Sequence, residues 1–189
     1  MKIPRFSQLV IVVLFSSNST FAQTTSTGDQ TFQSTAHKVT FHYPAGWVTK
    51  DPQLTTTLAL LYATDASSAT CNMNSSVFSE LEGLSEQKLD SLRKANHTRE
   101  YFERTFGNTV AGFSITRHWR AQFGQKEAGA IEYRYKLMVG DTQIQVESHM
   151  TATFANGRRY TLNCNAPRKQ GDSSKHAFDY IRSTTLFLR

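Results

Sequence analysis

The chain has 189 residues, with 21 Lys plus Arg against 15 Asp plus Glu and a formal net charge of +6. At 39% hydrophobic and 19% charged residues the composition is globular, neither a disordered tail nor a coiled coil. Two cysteines, four prolines and ten glycines exclude a disulfide-dense mini-protein, a four-cysteine zinc site and collagen-like or proline-rich architecture. The length fits one domain with a sizeable core.

Residues 1–22 read as a secretory signal peptide. Lys2 and Arg5 form a basic flank, and Leu9 to Phe15 is an apolar run. Thr20-Phe21-Ala22 then places small residues at the −3 and −1 positions of a cut after Ala22. The apolar run is too short to span a bilayer, which takes about 20 residues, so no transmembrane anchor is expected. The mature protein is therefore expected to be secreted or periplasmic. Cleavage removes Lys2 and Arg5 and no acidic residue, which makes the mature charge milder. Basic residues run no longer than pairs such as Arg158-Arg159 and Arg168-Lys169. A nucleic-acid surface needs several phosphate-facing cations together, so no nucleic-acid partner is expected.

Export bears on the cysteines. Cys71 and Cys164 are the only two, and an oxidising compartment favours their pairing. Closing so long a loop contributes about 4 kcal/mol in the chain-entropy model. The alternatives are two buried thiols or a redox pair, and no Cys-x-x-Cys motif supports the latter.

Residues 23–36 are polar, rich in Thr and Ser and without periodicity, and read as a disordered leader to a single domain over 37–189. Val39, Phe41 and Tyr43 alternate with polar residues as in a half-buried strand, Pro44-Ala45-Gly46 is a turn, and Trp47 restarts an extended segment as a core anchor. Thr55 to Thr64 and Thr70 to Phe78 read as further strands. Ser85 is placed to cap a helix ending at Asn96 or His97, with Leu84 and Leu89 as a hydrophobic staple. Thr98 caps a second helix that carries Phe102 and Phe106 and stops at Gly107. Thr109 to Ala166 reads as a four-strand meander with turns at Gly124-Gln125, Gly140-Asp141 and Asn156-Gly157.

Pairing Val139 with Thr142 across a type II′ turn sets Leu137 against Ile144, Tyr135 against Val146 and Ile131 against Met150, apolar against apolar throughout. A two-residue Asn156-Gly157 turn would instead set Phe154 against Arg159. A three-residue loop from Ala155 repairs this and pairs Met150 with Leu162 and Ser148 with Cys164. Cys164 then falls on the apolar face. Asp172 to Leu186 reads as a C-terminal helix with Ala177, Phe178, Ile181 and Thr185 inward. The fold class is α+β, an antiparallel sheet packed with helices.

The segment Phe41-His42-Tyr43-Pro44-Ala45-Gly46-Trp47 resembles the opening of the PsbP-like superfamily, which includes the photosystem II protein PsbP and envelope proteins of the DcrB type. Tyr160-x-Leu162-x-Cys164, followed by a helix ending near Ser183 to Phe187, resembles it too. The resemblance covers about residues 37–188. It implies an antiparallel sheet of six or seven strands sandwiched by helices. It also implies a mostly non-enzymatic scaffold, assembly factor or adaptor, with no catalytic motif to carry over.

The sequence has no Gly-x-Ser-x-Gly elbow, no His-Glu-x-x-His, no phosphate loop and no EF-hand, and no cofactor is expected. Asn74-Ser75-Ser76 and Asn96-His97-Thr98 are glycosylation sequons, relevant only in a host that glycosylates. The meander's second face is the candidate binding face. There Arg134 opposes Glu147 and Glu132 opposes His149, and a three-residue first turn would add His118 beside Glu132. His118, Glu132 and His149 form the ligand set of a catalytic zinc site, although opposed side chains in a row stand parallel rather than converge. The competing reading is a salt-bridged sheet face, solvated or covered by a helix. The functional reading is an exported, non-enzymatic domain that binds an envelope or extracellular protein or ligand. A hydrolase using the His/Glu row, metal-dependent or acid–base, and a secreted effector are the alternatives.

Overall fold

Strands form where side chains alternate between core and solvent. In β2 (Val39–Tyr43) the three apolar residues are buried and Thr40 and His42 point outward. The computed structural model describes residues 28–50, 55–108 and 110–188. The signal peptide expected over residues 1–22 lies outside the described residues. Following β1 (Gln30–Ser34) and β2, the chain runs through β3 (Trp47–Lys50), β4 (Thr57–Ala63) and β5 (Thr70–Val77). Helices α1 (Glu86–Asn96) and α2 (Arg99–Phe106) come next. The meander is β6 (Ser114–Phe123), β7 (Lys126–Val139), β8 (Thr142–Ala155) and β9 (Arg158–Pro167). Helix α3 (Gly171–Thr184) and the short β10 (Leu186–Phe187) close it.

A seven-stranded antiparallel sheet has the order β3-β4-β5-β9-β8-β7-β6, and a three-stranded sheet has the order β1-β2-β10. One face of the large sheet carries the Cys71–Cys164 disulfide, formed between partners of the β5–β9 pairing. It is covered by α3 and the small sheet, through Val39, Phe41, Ala177, Phe178 and Ile181. On the opposite face α2 packs through Phe102 and Phe106 onto Ile131 and Met150, while α1 packs through Leu89 onto Phe154. The α+β sandwich is thus as expected. The caps expected at Ser85 and Thr98 are present, accepting from the Lys88 and Tyr101 N–H groups, but the cap expected at Asp172 or Ser173 is not: α3 begins at Gly171, after Gln170, without a side-chain cap.

Three expectations are corrected. Gln30–Ser34 is not leader but strand, paired with β2 and stacking Phe32 on Phe41 at 4.9 Å. A single Phe among Gln and Thr gives no two-residue period to read, yet a sheet edge and one half-buried ring are enough to order it. The Asn156-Gly157 turn has two residues, not three. Both take positive φ, 50° and 71°, the type I′ geometry that Asn-Gly favours. Phe154 therefore does oppose Arg159 and Thr153 does oppose Tyr160. The mismatch is harmless because β8 is buried on both faces from Ser148 onward. Thr153 Oγ1 donates to the Glu127 carbonyl, and the Arg159 guanidinium lies over the Phe78 ring. Cys164 consequently pairs with His149, not Ser148, and lies on the Glu132 face.

The first turn, Gly124-Gln125, is also two residues long, and the register slips by a bulge between Ile115 and Arg117. His118 thus opposes Ile131, and Arg117 takes the place beside Glu132. The Gly140-Asp141 register is as expected, with every stated pair in place. The sequon at Asn74 is buried in β5, which closes it to a glycosyltransferase in the folded protein.

Candidate binding faces

On the disulfide face, the Gly140-Asp141 hairpin sets Glu132, Arg134, Glu147 and His149 side by side. Arg134 donates through Nε and Nη2 to Glu147 Oε1, at 2.9 and 2.8 Å. Oε2 of the same carboxylate sits where a side chain at Gly171 would be, at the first residue of α3. A negative charge at a helix N-terminus is stabilising, so this pair fastens α3 to the sheet. Arg117 Nη1 is 3.7 Å from Glu132 Oε1.

His149 is 5% exposed, with its ring 5.8 Å from that of Phe178 on α3. Its Nδ1 has no hydrogen-bond partner among the described residues and lies 3.9 Å from Glu132 Oε1. Burial lowers its pKa, with Lys175 acting the same way and Glu132, Glu147 and Asp179 opposing. His118 is on the other face. Its Nε2–H donates to the His97 carbonyl at 2.7 Å, and its ring leans on Phe102. The predicted His118-Glu132-His149 row therefore does not form. Among the described residues no group of three or more His, Cys, Asp or Glu is arranged to hold a metal ion. What does form is a salt-bridged face on which Arg117 is exposed, Arg134 is half-exposed and Glu147 reaches the start of α3.

The opposite face holds an arrangement of polar side chains that the sequence reading passed over. Antiparallel pairing across five strands lines up Tyr62, Thr70, Asn165, Ser148 and Tyr133 in one row. The next row is Leu60, Asn72, Asn163, Met150 and Ile131, and a third contains Thr57, Asn74 and Thr161. Four carboxamides thus share one surface. Tyr133 Oη donates to Asn163 Oδ1 at 3.1 Å, Ser148 Oγ donates to Asn165 Oδ1 at 2.7 Å, and Asn163 Nδ2 donates to the same oxygen at 3.3 Å. Desolvation raises the pKa of both Tyr133 and Tyr135, so both phenols stay protonated. Asn72-x-Asn74 and Asn163-x-Asn165 show in the sequence that each pair shares one face of its strand, but not that the two strands adjoin. Only the apolar sides of those strands drew attention.

No family model matches the sequence, and no curated protein is significantly similar to it. Solved structures do match. The cyanobacterial PsbP (CyanoP) of Synechocystis sp. PCC 6803 is 14% identical, with a TM-score of 0.57 over 90% of this chain and 98% of that one. A protein from Bacteroides thetaiotaomicron is 15% identical with a TM-score of 0.51, and the match covers 86% of this chain but only 49% of that longer one. LpqN, involved in cell envelope biogenesis of Mycobacterium tuberculosis, is 13% identical with a TM-score of 0.50, over 80% of this chain and 83% of that one. At such identities the likeness is one of fold, and the fold is PsbP-like, as the Pro-x-Gly-Trp opening implied.

Proposed function

We propose that this PsbP-like chain is an exported, non-enzymatic domain of the cell envelope that binds a ligand or a partner protein. The observation that carries the reading is a contrast between the two faces. Glu132, Arg134 and Glu147 are engaged with each other, with Arg117 or with the start of α3, and so hold structure together. The opposite face instead keeps a strip of uncharged amides and hydroxyls, of which Asn74 Nδ2 and Tyr135 Oη have no partner among the described residues; the unpartnered His149 ring of the first face is packed against Phe178 of α3. A bonded Cys71–Cys164 pair suits an oxidising compartment. No helix among the described residues is long and apolar enough to cross a membrane. The fold likeness to LpqN supports the envelope setting.

Native mass spectrometry of protein recovered from the envelope fraction of an expressing bacterium tests this. The expected result is a chain beginning at Gln23 that carries a non-covalent adduct. A bare chain with hydrolase activity that disappears in Glu132→Gln would replace this reading with the enzymatic one.

A further inference from the structure

The amide face ends in hydrogen-bonding capacity that the protein leaves unused. Asn74 is 7% exposed; its Oδ1 accepts from Thr57 Oγ1 at 2.8 Å, while its Nδ2 has no partner among the described residues. At the other end Tyr135 Oη is buried beside Ser148 and likewise lacks a bond of good geometry. Asn163, at 1% exposure, and Asn165 lie between them. An unsatisfied buried donor costs about 1–3 kcal/mol, so Asn74 Nδ2 on this strip asks what supplies its missing partner.

Three properties of the strip define the ligand. Its floor of Asn72, Asn74, Asn163, Asn165 and Ser148 carries no formal charge, so an ion entering it would lose hydration without a counter-charge. The nearby cations are engaged with rings, Lys50 over Tyr62 and Arg159 over Phe78. Carboxamides and hydroxyls present donors and acceptors side by side, the complement of a molecule whose every group is also both. The row of Asn74 and the row of Tyr135 are six residues apart along the strands, roughly 20 Å. Finally, the floor is buried at β8 and β9 and half-exposed at Leu60, Tyr62 and Asn72, so it opens towards β4.

We propose that the face of β4, β5 and β9 that bears the amides is a carbohydrate site. It takes a short neutral oligosaccharide, with Asn72, Asn74, Asn163 and Asn165 as its hydrogen-bonding floor. The proposal rests on the binding-domain reading and narrows it to a ligand class.

The test is a titration of the exported, mature protein with neutral trisaccharides (triacetylchitotriose, maltotriose, cellotriose and mannotriose), followed by NMR of the Asn side-chain amides. The expected result is saturable shifts of these amides with at least one sugar, at a dissociation constant below about 5 mM. Asn72→Ala, at a half-exposed position, should weaken binding at least fivefold with an unchanged circular dichroism spectrum. Glu132→Gln, on the other face, should bind as wild type does. The proposal is overturned if no sugar moves these amides at about 10 mM, or if Asn72→Ala binds undiminished. An adduct that persists in native mass spectrometry after that outcome would leave the binding-domain reading standing and remove only the carbohydrate. A chain without sugar shifts or adduct would remove both.

Discussion

Arg93 carries its charge into the interior at 1% exposure, and nothing about its place in α1 reveals this in the sequence. Its Nε donates to the Phe154 carbonyl at 3.0 Å, Nη2 donates to the same oxygen, and Nη1 reaches Glu86 and Asp90. The guanidinium thereby ties α1 to β8, with its desolvation offset by a filled set of bonds. Arg93→Ala should cost about 3–5 kcal/mol in urea unfolding, far more than an exposed ion pair would. His97 shows the opposite situation. It stacks on Phe154 at 5.5 Å, both ring nitrogens lack partners, and its pKa falls from 6.5 to about 3. Burial is the main cause, reinforced by Arg93, Arg120 and His118. Folding holds this ring neutral while the unfolded chain protonates near 6.5, so its contribution is complete above that pH and declines as the pH falls. Stability should drop by about 2 kcal/mol between pH 7.5 and pH 5, and His97→Phe should remove most of that slope. The lowered pKa of His149 acts in the same direction.

At the level of elements, legibility depended on how each hairpin's register is determined. The β7–β8 register followed from the sequence because Ile131, Tyr135 and Leu137 meet the apolar partners Met150, Val146 and Ile144. The β6–β7 and β8–β9 registers did not follow, because a two-residue turn decides each of them against the side-chain alternation. Gly124 has φ +57°, and a side chain there would collide with the Thr185 carbonyl at the end of α3. Gly124→Ala should therefore cost about 2–4 kcal/mol, a loss that thermal unfolding will show. The β8–β9 turn obeyed its Asn-Gly chemistry over the side-chain alternation, since a strand buried on both faces has no polar side to protect. The same burial changes what His149 is. On a solvated face its truncation would cost well under 1 kcal/mol, but against Phe178 His149→Ala should cost about 1–3 kcal/mol, while Glu132→Gln stays under about 1 kcal/mol.

For the whole molecule, the disulfide was legible from the export signature and a count of two cysteines, whereas the amide face was not. Asn72 and Asn74 become neighbours of Asn163 and Asn165 only because β5 pairs with β9, strands distant in sequence, and no local pattern announces such a pairing. Cys71 and Cys164 are partners in that same pairing, with 93 residues between them along the chain. Cys164→Ala should lower stability by about 2–5 kcal/mol, and non-reducing peptide maps of the exported protein should show the linked pair.

The β5–β9 seam also sets a clock. A chain threaded through a translocon with its N-terminus leading would deliver β3, β4 and β5 early, and their only route into the large sheet is through a strand that emerges far later. Until then the edge of β5 stays open, and local hairpins can form but the sheet cannot close. Long-range closure of this kind is slow, so an exported chain would stay threadable for most of its passage and compact only on the far side. Oxidation of the two thiols would then mark the moment of arrival.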